Sequence, residues 1–272
     1  MGETVKKVLF INSEMSPFLP DSQISTICRN LPQGIQERKR EIRSFMPKYG
    51  CINERRNQLH EVIRLSGMNI IISDVDRPLV IKVASIAAAR LQVYFLDNDD
   101  YFRRKQTSRD DEGRFFPDND ERAIFFARGI LETVKKLRWA PDIIHCHGWI
   151  SQLVPVFLKR CYKDDPIFVN SKVVLSLYGE ALDERFSDKF KSKIIAGGVS
   201  EADLEAFETP DGITLAKTAI AYSDAVIFAS DAAEQRLAGE CASKGIPMLP
   251  FNAKSLEDGS YIEEYDRFYD QL

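Results

Sequence analysis

Hydrophobic and polar residues are distributed along this chain in segments that predict strands and helices in alternation. A continuous apolar run predicts a buried parallel strand over 5–12, and helical spacing of isoleucine and leucine predicts a helix over 22–40. The segments that follow are a strand at 41–46, a helix that ends near 138, strands at 141–147, 172–177 and 225–229, and helices at 152–161, 213–222 and 232–238. Such alternation is typical of an α/β fold with a doubly wound, mostly parallel sheet.

The stretch from 50 to 95 departs from this alternation. Its short β-like pieces lie at 59–65, 79–83 and 91–95. Because they follow one another without intervening helices, they predict a β-meander inserted at the edge of the sheet. The polar segments 97–111 and 179–211 are predicted to be loops.

Length and composition favour one ordinary globular domain. The chain has 272 residues, of which 44% are hydrophobic and 29% are charged. This length is sufficient to bury a substantial core. No Gly/Pro-rich linker divides the chain, so we expect a domain over 1–240 with the tail 241–272 docked on it.

Charge and cysteine content exclude several classes of partner. The net charge of −4 gives no basic field for nucleic acid, and the basic run 103–105, followed by acidic 110–112, is typical of a solvated surface. No segment approaches the ~18–20 apolar residues of a membrane span, and no signal-peptide core is present. The five cysteines form no CxxC pair. We therefore expect a cytoplasmic protein that binds neither nucleic acid nor membrane.

The most informative segment is the turn after the first strand, which begins at Ser13 and leads into the first helix at Ser22. In an open α/β sheet this turn lies at the carboxyl edge, where ligands bind. Phosphate-binding turns at this position use glycine, because backbone amides must approach the anion closely. This turn contains none, and neither G-x-G-x-x-G nor G-x-x-x-x-G-K-[ST] occurs in the chain. We therefore predict no nucleotide cofactor.

Two histidines at the end of the strand over 141–147 raise the question of a metal. His145 and His147 point to the same face of a strand, as a metal pair would. No third ligand follows at a metal-binding spacing, so we predict no metal site and expect one histidine to be satisfied inside the protein and the other to lie at the sheet edge. After them, Gly148 and Trp149 lie where ligands are contacted, and Trp149 either stacks on a ligand ring or packs in the core.

The next strand ends in Tyr178, Gly179 and Glu180, which are predicted to face the same cleft as Glu14. Two carboxylates near one cleft are either an acid/base pair or ordinary surface carboxylates. No G-x-S-x-G elbow is present, and no residue is assigned a catalytic role. The candidate cleft-lining residues are Ser13, Glu14, Pro20, Ser22, Gln23, His147, Gly148, Trp149, Tyr178 and Gly179.

Several segments resemble the bacterial glycogen synthases and plant starch synthases. They are VLFINSEMSPF at 8–18, LP at 31–32, FMPKYG at 45–50, VYFLDN at 93–98, FPDNDER at 116–122 with FF at 125–126, and DIIHCHGW at 142–149 with LVP at 153–155. The resemblance implies a Rossmann-like domain that matches the N-terminal half of a two-Rossmann-domain (GT-B) glycosyltransferase. That family transfers glucose from ADP-glucose or UDP-glucose to an α-1,4-glucan. The resemblance covers about 6–235, and we expect no counterpart of the family's second domain.

The sequence departs from the family pattern where the donor phosphates would be held. Pro20 stands in place of the family's lysine, and Ser22 and Gln23 stand in place of two glycines. Gly148 replaces an aspartate, and Tyr178 replaces a histidine. Gly179 stands where the family has asparagine. Loss of one electrostatic contact of this kind typically costs ~2.7–4 kcal/mol of transition-state stabilisation.

Three functions remain open at this point. The first is an inactive synthase-like domain that binds a nucleotide sugar, an α-glucan or a protein. The second is half of a glycosyltransferase, completed by a partner chain or by a homodimer through the face left by the missing second domain. The third is an unrelated activity in the same fold, carried by Glu14, His147 and Tyr178.

Overall fold

The computed structural model describes residues 6–205 and 207–272, and these form a large mixed sheet with helices on both faces. The strands are β1 Lys7–Asn12, β2 Glu41–Pro47, β3 His60–Glu61, β4 Met68–Ile72, β5 Val75–Ile86, β6 Leu91–Asp97, β7 Ile143–His147, β8 Lys172–Leu177, β9 Ala225–Phe228 and β10 Met248–Leu249. The α-helices are α1 Gln23–Glu37, α2 Asp99–Phe102, α3 Asn119–Leu137, α4 Val154–Cys161, α5 Phe190–Ala196, α6 Gly212–Ala221, α7 Asp231–Ser243, α8 Ala253–Asp258 and α9 Tyr261–Asp270.

The strand order is β10-β9-β8-β7-β1-β2-β6-β5-β3, with β4 paired to β5. Every pair from β10 to β6 is parallel, whereas β3, β4 and β6 all run antiparallel to β5. The chain leaves β1 through α1 to reach β2 on one side, and later returns through α3 to β7 on the other. The carboxyl ends of β1 and β7 therefore flank the switch point of the sheet, where open α/β folds bind ligands.

Burial explains why the central strands read as continuous apolar runs. Val8 to Ile11 of β1 and Val173 to Leu175 of β8 have no exposed surface, because helices cover both faces of these parallel strands. The doubly wound, mostly parallel sheet predicted from the sequence is thus confirmed, as is the antiparallel insertion at its edge. The predicted start of β1 at Val5 lies outside the described residues.

Three local predictions were wrong. The strand predicted over 59–65 is reduced to β3, and the turn that follows leaves Ile63 83% exposed. The next strand is β4, which the predicted meander lacked. The segments predicted to be loops contain α2 and α5, two helices of fewer than eight residues. Such short helices carry too few periodic apolar positions to signal themselves in sequence.

The C-terminal segment packs against α1 and reaches the central sheet. Tyr269 is fully buried on α9, and its hydroxyl lies 2.6 Å from Nδ1 of His145 on β7. Arg40 donates to the carboxylates of Asp266 at 2.5 Å and Asp270 at 3.0 Å. Helix α7 runs through 240 and 241, and the division into 1–240 and 241–272 stays a prediction. Among the described residues, no helix combines the length and apolarity that crossing a bilayer requires.

Candidate functional site

The candidate site lies where β1, β7 and β8 end side by side. The N–H of Ser13 donates to the carbonyl of His147 at 3.0 Å, which ties the ends of β1 and β7 together. Strand β8 pairs with β7 through Ser176 and delivers Tyr178 and the two residues after it to the same edge. The structure thus brings Ser13, Glu14, His147, Gly148, Trp149, Tyr178 and Gly179 to one edge of the sheet.

The turn after β1 supplies its own partner to the N-terminus of α1. Ser22 is the N-cap, and its Oγ accepts the N–H of Ser25 at 3.0 Å, while the Ser25 Oγ accepts the N–H of Ser22 at 2.7 Å. The Ser22 hydroxyl also donates to Oε2 of Glu14 at 2.8 Å. A carboxylate therefore lies beside the positive end of the helix dipole, where an anionic ligand would otherwise bind.

Gln23 and Pro20 complete this turn. The Gln23 Nε2 donates to the carbonyl of Ala229, just beyond β9, at 2.6 Å, so its side chain bridges α1 and the end of that strand. The carbonyl of Pro20 accepts the hydroxyl of Ser25 at 3.0 Å. The ring of Pro20 offers no hydrogen-bond donor, in contrast to the lysine that the family resemblance places at this position.

His147 and Tyr178 form a buried pair below the turn. Nδ1 of His147 lies 2.7 Å from the Tyr178 hydroxyl, and burial lowers the pKa of His147 to about 3. The neighbouring His145 is held between the hydroxyls of Tyr269 and Ser176. Both histidines are therefore neutral and engaged with hydroxyl groups. In the described part of the chain, no group of three or more His, Cys, Asp or Glu residues could hold a metal ion.

Gly148 and Gly179 both need the left-handed region of backbone space. Gly148 has φ of 82°, and a Cβ there would lie 2.1 Å from Oγ of Ser13. Gly179 has φ of 89°, and its Cβ would meet nothing closer than Oγ of Ser230 at 3.3 Å. The aspartate that the family resemblance places at 148 therefore has no room beside Ser13.

Trp149 packs in the core. Its side chain is 6% exposed, and its ring centroid lies 5.1 Å from that of Phe115 and 5.9 Å from that of Phe186. The edge-to-face arrangement with Phe115 is a favourable aromatic contact within the core. Of the two roles that the sequence left open for Trp149, the geometry supports packing.

Glu180 is the residue that the candidate list omitted. Its carboxylate accepts the backbone N–H of Trp149 at 2.6 Å. Desolvation by the surrounding protein and the charge of Glu14 raise the pKa of Glu180 to about 7, although part of its side chain stays exposed. The two carboxylates that the sequence placed at one cleft are therefore within electrostatic reach of each other. The sequence already indicated that Glu180 belongs to the site, because this residue directly follows Gly179 at the end of the same strand.

We expect Glu180→Gln to flatten the pH dependence of stability. Between the ordinary pKa of 4.5 and about 7, the unfolded chain has released this proton while the native chain retains it. The free energy of unfolding contributed by Glu180 therefore falls as the pH rises through this window. Urea denaturation at about pH 5 and pH 8 should show a smaller loss in Glu180→Gln than in the wild type. The exposed Glu61→Gln serves as control, and equal losses in the wild type and Glu180→Gln would refute the assignment.

A cavity of about 460 Å³, which we name the turn cavity, opens beside the turn. Its lining residues are Glu14, Leu19, Pro20, Asp21, Ser22, Cys51 and Lys105 to Arg109. The segment 105–109 comes from the region that the sequence analysis interpreted as a solvated surface. Arg122 holds it in place, because its fully buried guanidinium donates to the carbonyl of Thr107 at 2.7 Å. Arg104 is paired with Asp118 through two hydrogen bonds at 2.9 and 2.5 Å.

Comparison with known proteins decides the family. The family model of the starch synthase catalytic domain matches residues 7–245. The chain belongs to this family. The glycogen synthase of Chlorobium limicola is 35% identical over 219 residues, which cover 80% of this chain and 44% of that protein. The glycogen synthase of Chlorobaculum tepidum is 37% identical over 227 residues, which cover 83% of this chain and 46% of that protein.

A solved structure of the family agrees with the fold. The catalytic domain of starch synthase IV from Arabidopsis thaliana superimposes with a TM-score of 0.72 at 17% identity, covering 91% of this chain and 51% of that one. The family and the GT-B-type fold expected from the sequence motifs are thereby confirmed. The chain is a glycogen/starch-synthase-like glycosyltransferase domain, and it spans about half the length of the curated relatives it matches.

Proposed function

We propose that this domain binds α-glucan in the turn cavity and does not support transfer of glucose from a nucleotide sugar. The observation that carries the proposal is the Ser22 hydroxyl, which serves both the N–H of Ser25 and the carboxylate of Glu14. The N-terminus of α1 is thereby supplied from within the chain. A donor diphosphate would have to displace the cap and approach the Glu14 carboxylate, and like charges repel at short range.

Electrostatics favours a neutral ligand over a nucleotide sugar. Glu180 lies close enough to Glu14 for the charge of Glu14 to raise its pKa, so both carboxylates act on the same cleft. The lining of the turn cavity carries Lys105 and Arg109 as well as Glu14 and Asp21, and Arg109 is paired with Glu184. Beside the N-terminus of α1, a diphosphate meets the Glu14 carboxylate, whereas an uncharged glucan meets no such repulsion. The turn cavity also offers the Ser108 hydroxyl and the Gln106 amide, which suit the hydroxyls of a sugar. The related starch synthase IV was solved bound to ADP and acarbose.

Calorimetric titration of the 272-residue chain tests this proposal. We expect saturable binding of maltoheptaose and no saturable heat with ADP-glucose. Ser108→Ala should weaken maltoheptaose binding about tenfold, because one hydrogen bond to the ligand is worth on the order of 1.4 kcal/mol. Ser243→Ala, which makes the same change at the exposed end of α7, is the matched control. Saturable binding of ADP-glucose without maltoheptaose binding would contradict the proposal.

A second candidate function is half of a glycosyltransferase that another chain completes. The family match favours it, because residues 7–245 match the model of a catalytic domain. The two functions differ in one expectation. A competent half-enzyme should transfer glucose once a donor-binding half is supplied. The turn proposed above, in which Ser22 caps α1 and donates to Glu14, should not support transfer; we name it the self-capped turn.

We also propose that the protein resides in a reducing compartment, the cytoplasm. All five cysteines are free thiols, and two of them, Cys51 and Cys161, are exposed. Exposed thiols without a disulfide partner suit a reducing environment. Mass spectrometry of the alkylated chain after isolation should recover both thiols in the reduced form.

A further inference from the structure

Strand β4 lies at the edge of the antiparallel insertion and has one side without a strand. In the described part of the chain it pairs only with β5. Edge strands are usually protected by charged side chains or proline, because their unpaired N–H and C=O groups are a template for pairing with another chain. The sequence of β4, MNIII, contains neither. Its Ile71 is 55% exposed, so this edge carries apolar surface as well as unpaired backbone.

The hairpin geometry shows which backbone groups of β4 face outward. Ile72 closes the hairpin opposite Val75, across a two-residue turn in which both residues have positive φ. In such a turn the closing pair is hydrogen-bonded, and bonded and non-bonded positions then alternate along the two strands. Asn69 and Ile71 are therefore the positions whose N–H and C=O groups point away from β5. The Ile71 carbonyl agrees with this direction, because it accepts a hydrogen bond from Arg128 of α3 at 2.7 Å.

Helix α3 lies under β5 and β6 and leaves the edge of β4 accessible. A Cβ at Gly129 of this helix would lie 2.8 Å from the Leu96 side chain on β6 and 3.4 Å from that of Leu79 on β5. The helix axis is therefore set back from β4, and long side chains of α3 reach its edge. A carbonyl oxygen has two lone pairs, so Ile71, which accepts Arg128, keeps one acceptor site for another chain.

The charges at the two ends of this edge complement each other. Asp74, in the hairpin turn, is exposed at one end. Lys136 is exposed at the other end, where it donates to the carbonyl of Ser66 at 3.3 Å. When two copies of β4 pair antiparallel around Ile70, position 74 of each copy lies opposite position 66 of the other. Each acidic end then meets the basic end of the partner, so the edge is complementary to a second copy of itself.

We propose that β4 pairs with β4 of a second copy of this chain, antiparallel and around a two-fold axis at Ile70. In this register, Asn69 and the partner subunit's Ile71 exchange two backbone hydrogen bonds, and the symmetric pair exchanges two more. The two exposed Ile71 side chains lie diagonally across the pair and cover each other from water. The dimer leaves the turn cavity of each copy open, because none of its lining residues belongs to β4.

Sedimentation velocity of the full chain at increasing protein concentration tests this inference. We expect a concentration-dependent equilibrium between monomer and dimer. Ile71→Lys should raise the dissociation constant about tenfold, because it replaces an apolar contact by repulsion between like charges. Its urea midpoint should stay near that of the wild type, since the side chain is exposed. Val169→Lys, at a similarly exposed apolar position, is the matched control and should dimerise as the wild type does.

A charge exchange tests the antiparallel register. Asp74→Lys and Lys136→Glu each place like charges at both ends of the paired strands, so each variant alone should dimerise more weakly than the wild type. An equimolar mixture of the two variants should recover the wild-type affinity as a heterodimer, because both ends then join opposite charges. A wild-type chain that stays monomeric at every concentration, dimerisation that Ile71→Lys leaves unchanged, or a mixture that associates no better than its components would overturn the inference.

Discussion

Gly148→Ala should lower the free energy of unfolding by about 2–5 kcal/mol. A side chain at φ of 82° costs ~1–2 kcal/mol, and overpacking costs a further ~1–3 kcal/mol, because the new Cβ would lie 2.1 Å from Oγ of Ser13. The aspartate of the family pattern would meet the same obstacle, so Gly148→Asp should also destabilise the chain. Urea denaturation measures the loss.

Gly179→Ala is the matched control for this prediction. Its φ of 89° carries the same backbone cost, but its Cβ would approach nothing closer than 3.3 Å. We therefore expect a smaller loss than at Gly148. Ser13→Gly combined with Gly148→Ala should recover the steric part, because both side-chain atoms of Ser13 that meet the new Cβ are removed. Equal losses for Gly148→Ala and Gly179→Ala would show that Ser13 does not restrict this position.

Lys193→Met should cost about 3–5 kcal/mol, because it leaves a buried carboxylate without its cation. The Lys193 ammonium lies 2.7 Å from Oδ2 of Asp120 and 2.9 Å from Oε1 of Glu121. The Asp120 side chain has no exposed surface, and burial raises its pKa even with Lys193 in place. Thermal and urea denaturation of the variant should both show the loss.

A double-mutant cycle isolates this ion pair from the packing of α5. Asp120→Asn added to Lys193→Met should recover most of the stability, because the uncompensated charge is removed. The exposed Lys189→Met, just before the same helix, should have little effect. Additive losses in the double variant would mean that the two side chains stabilise the fold independently.

The fold was predictable from the sequence where residues act locally. The apolar runs of the central strands and the periodicity of α1 and α3 identify their elements, because burial on both faces or one face sets these patterns. Helix α5 escaped prediction because it has only Phe190 and Ile194 as buried residues and is anchored by the distant Asp120. Likewise, the contact of Tyr269 with His145 joins positions 124 residues apart.

The candidate site was predictable in part for the same reason. Because the carboxyl ends of parallel strands meet at one edge of an open α/β sheet, the ends of β1, β7 and β8 could be placed together from the sequence. The absence of glycine from the turn was also visible there. The Ser22–Ser25 capping box is also a local pattern, but it has serine at the third helical position, where the usual signature has Glu or Gln. The contacts of Gln23 with Ala229 and of Arg122 with Thr107 are tertiary and have no local signature.

The most direct test of the self-capped turn is glucosyl transfer by a fusion protein. Residues 7–245 of this chain would replace the matching segment of the Chlorobium limicola glycogen synthase, with the parent enzyme as positive control. The parent carrying only this chain's Pro20, Ser22 and Gln23 in its turn would isolate the effect of these three residues.

We predict that the fusion binds maltoheptaose but transfers glucose from ADP-glucose to glycogen at least about 10³-fold more slowly than the parent, since each lost phosphate contact costs 10²–10³ in rate. Retained maltoheptaose binding would confirm that the fused domain is folded. Transfer within tenfold of the parent rate would contradict the account and favour a competent half-enzyme.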